Sequence, residues 1–176
     1  MGKENEYYDI IESCAKNRED FTIQNSANEH AAYLIKTLFK YAEEEVIIFT
    51  GSLHEDVFSN EDLKKEAVEF LKKGTGKRLV IAYQNEAKEK ILQGSFLKAI
   101  TSAVDKTTGK LEIWDAQRTN KVIENHFAVM DSRAFRYELD GEKRKAVANF
   151  NDEEYAKKLK SVFEKIIKVS DKVNYN

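Results

Sequence analysis

The hydrophobic residues of this chain follow two alternating patterns over its first two thirds. Residues 45–51 and 77–83 are mostly β-branched, aromatic or otherwise apolar, which is typical of strands buried on both faces. Elsewhere, apolar residues recur every three or four positions, as on the buried face of an amphipathic helix. Such helices are predicted over residues 6–17, about 28–42, 59–73 and 86–104, the last with a candidate interruption at Gly94. This alternation predicts an α/β fold with a mixed, mostly parallel sheet and helices on both faces.

The last third of the chain predicts an antiparallel section. Short apolar or alternating runs, separated by polar turns, predict strands at residues 111–114, 122–130, 134–139 and 144–150. A final helix, capped by Asn151 or Asp152, carries apolar residues at helical spacing. We expect this helix to dock on the sheet.

The start of the second helix carries a capping signal. Ser26-Ala27-Asn28-Glu29 resembles a capping box, in which the Ser hydroxyl and the Glu carboxylate each accept a backbone amide of the first turn. No linker, repeat or low-complexity segment is visible in the sequence. We therefore predict one domain over residues 21–176, preceded by an N-terminal helical extension over residues 1–20.

Composition narrows the environment and the partners of the protein. The chain of 176 residues has a formal charge of −2, so it lacks the overall basic character of many nucleic-acid-binding proteins, although a local basic patch stays open. Its one cysteine, Cys14, cannot form an intrachain disulfide, which favours a reducing compartment. No apolar run is long enough to cross a membrane, and the N-terminus is too polar for a signal peptide. We expect a cytoplasmic protein with no membrane partner.

Glu124, His126 and Asp131 are the leading candidates for catalytic chemistry. They place a carboxylate, an imidazole and a second carboxylate on or beside one apolar strand, and these groups serve as acids, bases and nucleophiles in enzymes. Each residue also has a structural interpretation. Glu124 suits a solvated strand end, His126 suits a hydrogen-bonded position near a sheet edge, and Asp131 suits a turn.

The order of the elements and the residues around His126 resemble one half of the phospholipase D superfamily fold, over roughly residues 22–170. The motif of that family is His-x-Lys-x4-Asp, followed by a segment similar to Gly-Ser-x-Asn. The resemblance implies that two such halves, from one chain or from a dimer, face each other. It also implies the roles of the motif: the His attacks phosphorus, the Lys holds phosphate oxygens and the Asp orients the His. For this chain the resemblance therefore implies a homodimer.

Two registers match the family motif to this chain. With His126 as the nucleophile, Ala128 takes the lysine position and Arg133 the aspartate position. With Asp131 as the motif aspartate, Glu124 takes the nucleophile position and His126 the lysine position. We favour the second register, because it retains the aspartate and keeps polar residues at all three positions.

In the favoured register, Ala148-Asn149-Phe150-Asn151 resembles the Gly-Ser-x-Asn segment, and Asn151 matches its Asn. The longer gap between the two segments is attributed to a hairpin inserted through Asp140-Gly141. The substitutions weaken the chemistry that the family implies. A carboxylate at the nucleophile position repels an anionic phosphodiester, and a histidine in place of the lysine is mostly neutral at neutral pH, since its unperturbed pKa is about 6.5.

Further candidates for ligand binding lie near the same strands. Ser52 and His54 follow the first buried strand, where α/β sheets commonly bind ligands. Arg136 and Glu138 alternate with aromatic residues, so they form either an ion pair between strands or a site in which Arg136 recognises an anion. Asn149 joins this group through the family resemblance. The chain lacks the Cys and His spacings of metal sites and the glycine-rich loops of phosphate sites, so neither a metal nor a cofactor is expected.

The sequence thus predicts a non-catalytic phospholipase D-like domain that acts as a binding or regulatory module and forms a homodimer. The ligand is nucleic acid, a nucleotide or a protein, and the sequence does not distinguish among them. One alternative is an active phosphodiesterase or nuclease that uses His126 at a dimer interface. Another alternative is a structural module that binds partner proteins and has no small-molecule pocket.

Overall fold

The computed structural model describes residues 2–119, 123–141 and 145–175 of the chain. Within these residues, one sheet is formed by eight strands: β1 (Ile23–Asn25), β2 (Glu45–Thr50), β3 (Arg78–Tyr83), β4 (Lys110–Asp115), β5 (Phe127–Met130), β6 (Ala134–Asp140), β7 (Lys145–Asn149) and β8 (Asp171–Lys172). Their order across the sheet is β1-β7-β6-β5-β2-β3-β4-β8.

The sheet is mixed, as predicted. β2 pairs in parallel with β3, and β3 pairs in parallel with β4. The other five neighbouring pairs are antiparallel. The mixed α/β class is confirmed, but the parallel part is smaller than predicted, because the β5–β6–β7 meander and both edge strands add antiparallel pairs.

Helices cover both faces of the sheet. Those in the described residues are α1 (Gly2–Asn17), α2 (Asn28–Tyr41), α3 (Glu55–Phe58), α4 (Glu61–Lys72), α5 (Lys88–Gln93), α6 (Ser95–Thr101) and α7 (Glu153–Lys168), with a 3-10 turn at Gln117–Thr119. Buried side chains of α1 to α6 form one hydrophobic cluster with the first face of the sheet. Buried side chains of α7 form a second cluster with the opposite face.

The apolar run of β2 explains why the sheet is covered on both sides. Val46 and Ile48 belong to the cluster on the α2 side, whereas Ile47 and Phe49 belong to the cluster on the α7 side. Successive side chains of a strand point to opposite faces, so an unbroken apolar run requires burial on both faces. None of the four side chains is more than 2% exposed.

The opposite directions of β2 and β5 define two ends of the sheet. Phe49 near the end of β2 pairs with Phe127 at the start of β5, and Val46 pairs with Met130 at the end of β5. We call the end of the sheet that contains Thr50 and Phe127 the upper edge, and the end that contains Val46 and Met130 the lower edge. Residues before β5 therefore lie at the upper edge, and residues after it lie at the lower edge.

Some element boundaries differ from the predicted ones. The helical region predicted over residues 86–104 is shorter at both ends, and it is divided into α5 and α6 at Gly94, where an interruption was predicted. The strand predicted from Val122 begins at Phe127, and Val122 itself lies outside the described residues. Arg144, predicted to start the strand before the last helix, also lies outside them. In the described part of the chain, no helix has the length and apolar character that a membrane crossing requires.

The capping box predicted at Ser26 was wrong. The N-cap residue of α2 is Ala27, with an extended backbone (φ −137°, ψ 155°), and it makes no side-chain cap hydrogen bond. Alanine has no side-chain acceptor, so the first turn of α2 begins without the cap that most helices use.

Candidate ligand-binding site

A cavity of about 260 Å³ opens at the upper edge of the sheet, on the side covered by α2. We call it the upper pocket. It lies between the first half of α2, the short helix α3 and the upper ends of β2, β5 and β6. Its apolar walls include Ala31, Ile35, Ile48, Val57, Phe58 and Ala128. Ligands of α/β proteins commonly bind beyond the carboxyl ends of central strands, and β2 ends here.

The polar end of the upper pocket is built by the junction of β5 and β6. The backbone N–H of Glu138 donates to the carbonyl of His126 at 2.8 Å, and the side chain of Asn125 donates to the carbonyl of Glu138 at 2.9 Å. His126 Nδ1 lies 3.7 Å from Glu138 Oε1, and Arg136 Nη1 lies 3.8 Å from Glu138 Oε2. These distances allow electrostatic attraction but exceed those of ordinary hydrogen bonds. The three side chains therefore share one small volume without closing tightly on one another.

Arg136 is the most deeply buried charged group of the upper pocket, with 8% of its surface exposed. It pairs with Ala128 across the β5–β6 ladder and so points to the same face as the pocket. Burial lowers the pKa of its guanidinium, and the nearby Glu138 carboxylate partly offsets that effect. Its Nε atom has no hydrogen-bond partner among the described residues. This atom is closed to solvent, and a buried charged donor without a partner is costly.

His126 reaches the upper pocket by lying across the end of β2. A Cβ atom on Gly51 would be only 2.8 Å from His126 Cε1, so a glycine at this position leaves room for the imidazole ring. The ring also contacts Phe49 at 5.8 Å between centroids. Its Nε2 atom is buried and has no partner within the described ranges. Position 51 therefore contributes to the pocket through the absence of a side chain.

Ser52 and His54 also line the upper pocket. Thr50 donates its hydroxyl to the Ser52 carbonyl at 2.7 Å, which fixes the loop after β2. Both residues border a second cavity of about 310 Å³ as well, which includes Glu55 and Lys90. The structure thus brings the predicted residues Ser52, His54 and His126 together with Arg136 and Glu138.

Glu124 does not join this group. Its side chain is exposed, and it borders a different cavity of about 340 Å³, together with Tyr155 and Leu159 of α7. That helix covers the opposite face of the sheet from α2. Glu124 and His126 are two positions apart in the sequence, but they line separate cavities.

Asp131 lies at the lower edge, away from His126. Its carboxylate accepts hydrogen bonds from the backbone amides of Glu43, Glu44 and Glu45, at 2.7, 2.8 and 2.9 Å. Its φ of 49° places it in the left-handed region, which Asp tolerates better than most residues. Asp131 therefore holds the loop before β2 to the end of β5.

Asn149 and Asn151 are likewise near the lower edge. Asn149 pairs with Phe135 near the start of β6, donates to Asp20 at 2.8 Å and accepts from the Asn151 amide at 2.8 Å. The strand that returns from the lower edge to His126 is β6, so the residues that reach the upper pocket from this hairpin are Arg136 and Glu138. The segment similar to Gly-Ser-x-Asn stays outside the pocket.

The sequence interpretation missed two contributors to the upper pocket. Asn28 and Ala27, at the start of α2, both line it. The segment Ser26-Ala27-Asn28-Glu29 did indicate the start of a helix, but it was interpreted as a capping box, which the structure does not form. A start of α2 at Ala27 would have indicated an uncapped helix end beside the β2 loop.

The chemical groups of the upper pocket suit ligand binding. The described lining contains a buried cation, a carboxylate, two histidines and two hydroxyl groups. Among the described residues, no three His, Cys, Asp or Glu side chains are grouped so that they could hold a metal ion. The His126–Glu138 pair is the one arrangement in the described lining that resembles acid–base machinery.

Comparisons with known proteins show which solved structures have a similar fold. No protein-family model matches the sequence, and a search of curated proteins finds no significant relative. Among solved structures, TrmBL2, an archaeal chromatin protein with a novel mode of DNA binding, is 15% identical and superposes with a TM-score of 0.64, covering 97% of this chain. The match covers 62% of the chromatin protein, so this chain spans less than two thirds of that length.

Two further solved structures match this chain over nearly their whole length. Nuc from Salmonella typhimurium, a phospholipase D family member, is 13% identical, with a TM-score of 0.59 over 89% of this chain and 99% of its own. NucT from Helicobacter pylori is 14% identical, with a TM-score of 0.57 over 88% of this chain and 99% of its own. At such identities the likeness concerns the fold, and the chain has a phospholipase D-like fold.

Proposed function

We propose that this phospholipase D-like chain is a non-catalytic binding or regulatory domain that holds a small molecule in the upper pocket and acts as a homodimer. The observation that carries the proposal is the dispersal of the residues at the family's motif positions. His126 lines the upper pocket, Glu124 borders a cavity on the α7 side, and Asp131 is bound by three backbone amides at the lower edge. Phosphoryl transfer needs several groups arranged around one phosphate, and these three residues do not provide that arrangement.

The charges of the upper pocket also favour binding over hydrolysis. The Glu138 carboxylate lies within 4 Å of both His126 and Arg136, so it reduces the positive potential that a phosphodiester would meet. A family active site would instead present cationic groups to the phosphate. The upper pocket can still enclose a ligand, but it attracts an anionic phosphate less strongly than a site lined by cationic groups would.

A hydrolysis assay tests the non-catalytic part of the proposal. The full chain and its His126→Ala variant are incubated with bis(p-nitrophenyl) phosphate, and release of p-nitrophenolate is followed by absorbance. We expect no hydrolysis above the uncatalysed rate from either protein. Hydrolysis by the wild type that disappears in the variant would overturn the proposal.

The same assay examines the second candidate function, an active phosphodiesterase or nuclease. The observation in its favour is the position of His126 Nδ1 beside the Glu138 carboxylate, 3.7 Å away. A carboxylate beside an imidazole can orient the ring and stabilise its protonated form. A Glu138→Gln variant that loses activity in parallel with His126→Ala would favour this second function.

Binding of small molecules is tested by chemical-shift mapping. A library of small fragments is added to isotopically labelled full-length chain, and shifts are compared between the upper pocket and the lower edge. Ala31 and Ala128 report on the upper pocket, whereas Ala134, which pairs with Met130 at the lower edge, lies away from it. A library that never perturbs Ala31 or Ala128 would contradict a ligand-binding function for this pocket.

Nucleic acid is the other ligand class to test, since the similar chromatin protein binds DNA. Two observations argue against it here. The formal charge of the chain is −2, and Lys157 and Lys158 of α7 are each paired with a glutamate one turn earlier, at 2.6 Å. Binding to a DNA duplex that strengthens steeply as salt is lowered would support nucleic acid as the ligand instead.

Sedimentation equilibrium tests the homodimer, and a monomer at all concentrations would remove that part of the proposal.

A further inference from the structure

The cavity that Glu124 borders lies on the opposite face of the sheet from the upper pocket. It has a volume of about 340 Å³ and opens between α7 and the upper ends of β5 and β6. We call it the α7 cavity. Its described lining shares only Phe127 with that of the upper pocket, so the two cavities offer different chemistry. The volume is within the range of about 300–1,000 Å³ that is typical of small-molecule sites.

Two tyrosines form an aromatic corner of the α7 cavity. Tyr137 of β6 and Tyr155 of α7 both line it, with their ring centroids 5.9 Å apart and their planes at 88°. Phe135 packs against Tyr155 at 4.7 Å between centroids, which holds that ring in place. The faces of aromatic rings carry negative charge density and attract cations. The corner therefore favours a cation that loses its water readily.

The polar groups beside this corner include hydrogen-bond acceptors. The side-chain amide of Asn125 donates to the Glu138 carbonyl at 2.9 Å, and its own carbonyl oxygen has no partner among the described residues. Glu124 borders the same cavity with an exposed carboxylate. The phenol oxygens of the two tyrosines can also accept hydrogen bonds. A ligand with several N–H donors would suit this lining.

The charge balance of the α7 cavity favours a monocation. Lys158 is the one cation of the described lining, and its Nζ lies 2.6 Å from Glu154 Oε1, so the charge of Lys158 is already compensated. Glu124 forms no ion pair with the residues that the structure describes. One negative charge is thus left at the cavity, although water screens it because Glu124 is exposed.

A guanidinium group matches the aromatic corner, the acceptors and the charge together. It is planar and weakly hydrated, it stacks on aromatic rings, and its N–H donors form a rigid fork that fits a carboxylate. A primary ammonium is strongly hydrated, so it loses more by entering an aromatic corner. A quaternary ammonium suits the rings but has no N–H group for the acceptors.

We infer that the α7 cavity binds a guanidinium group, which stacks in the corner of Tyr137 and Tyr155 and pairs with the Glu124 carboxylate. This inference goes beyond the proposed function, since that function concerns the upper pocket.

NMR titration of the full chain with four small compounds tests the inference. The compounds are ethylguanidinium, its neutral planar analogue ethylurea, ethylammonium and tetramethylammonium. We expect ethylguanidinium to bind about tenfold more tightly than ethylurea, because the stacked cation and the ion pair each add to its affinity. It should also bind more tightly than the two ammonium ions. The methyl signals of Leu159 and Val162, which line the α7 cavity, should shift, and those of Ala31 and Ala128 in the upper pocket should not.

Two substitutions separate the contributions of charge and stacking. Glu124→Gln removes the charge at an exposed position, so we expect ethylguanidinium affinity to fall about threefold with ethylurea affinity unchanged. Glu153→Gln is the matched control, because Glu153 is also exposed but lies outside the lining of the α7 cavity. Tyr155→Leu removes one ring and should also cost about threefold. Tyr155→Phe keeps the ring and should retain most of the affinity.

The source of the guanidinium is distinguished by two further compounds. Agmatine represents a free small molecule, and N-acetyl-arginine methylamide represents an arginine side chain of a partner protein. Tighter binding of the first would assign a small-molecule ligand to the α7 cavity, and tighter binding of the second would assign a peptide segment.

Three results would overturn the inference. These are equal binding of ethylguanidinium and ethylurea, tighter binding of tetramethylammonium than of ethylguanidinium, and unchanged ethylguanidinium affinity in Glu124→Gln. None of them bears on the proposed function, which is tested by His126-dependent hydrolysis and by the signals of Ala31 and Ala128. The two proposals can therefore fail separately.

Discussion

Replacing Asp131 by alanine removes one carboxylate that serves three consecutive backbone amides. Those of Glu43, Glu44 and Glu45 donate to it at 2.7, 2.8 and 2.9 Å. Without the carboxylate, the loop that leads into β2 loses its attachment to the end of β5. We therefore expect Asp131→Ala to destabilise the fold while leaving the upper pocket intact.

The magnitude follows from the three bonds and the backbone angle. A hydrogen bond to a charged group contributes about 1.5–3 kcal/mol, but Glu43 and Glu44 are exposed, so water can replace much of their share. We therefore take about 3 kcal/mol for the three hydrogen bonds together. Placing alanine at a φ of 49° adds a backbone cost of about 1 kcal/mol. A total of about 4 kcal/mol corresponds to a fall in Tm of about 8–16 °C for a chain of this length.

Urea denaturation followed by circular dichroism measures this loss directly. Asp131→Asn is the matched control, because Asn tolerates the left-handed region and keeps one acceptor oxygen, and we expect about half the loss. The imidazole NMR signals of His126 serve as the readout for the upper pocket and should not move in either variant. A loss below about 1 kcal/mol for Asp131→Ala, or a displaced His126 signal, would refute a purely structural role for this aspartate.

Four further substitutions test three other parts of the structure. Burial alone would raise the pKa of Glu12, but hydrogen bonds from Lys40 and two tyrosines lower it below its ordinary value of 4.5, so Glu12→Gln should cost about 1 kcal/mol at neutral pH. Because the pKa of Glu12 is lowered in the folded state, the wild type should be the more stable protein at every pH above the ordinary pKa of a glutamate. Urea denaturation should show this difference in the free energy of unfolding vanish as the pH falls through the lowered pKa. Ser26→Ala should leave the free energy of unfolding within about 0.5 kcal/mol of the wild type, whereas Ala27→Asp should raise it by about 1 kcal/mol; a larger loss in the serine variant would restore the capping box. Gly51→Ala places a Cβ atom 2.8 Å from the pocket histidine, so we expect a loss of about 1–3 kcal/mol and a shifted imidazole signal, and an unshifted signal would contradict the close approach.

The fold was predictable from the sequence where burial dictates the residue pattern. Residues 45–51 had to form a strand covered on both faces, since Ile47 and Ile48 point to opposite sides and both are buried. The alternation of Arg136 with Phe135 and Tyr137 likewise predicted one polar and one aromatic face, and the aromatic residues pack on the α7 side.

Local signals failed where two interpretations of a segment differ by one residue. Ser26 and Ala27 are adjacent, and only the surrounding packing decides which of them caps α2. The choice matters because a serine cap would have supplied a side-chain acceptor at the start of α2, where Ala27 has none. The local residue pattern also could not predict how many strands pair in parallel, because pairing partners depend on contacts between residues that are distant in the sequence.

The linear motif was the least reliable guide to the site, and strand geometry explains why. A strand rises about 3.3 Å per residue, so His126 and Asp131, which flank β5, are separated by about 16 Å along its direction. Two such residues cannot act on one small group within a single domain. The partners of His126 must therefore come from a neighbouring strand that returns to the same end, and β6 supplies Arg136 and Glu138. In this chain the aspartate at the end of the motif supports the scaffold, and the ionisable groups of the upper pocket come from β6, from His126 and from the loop after β2.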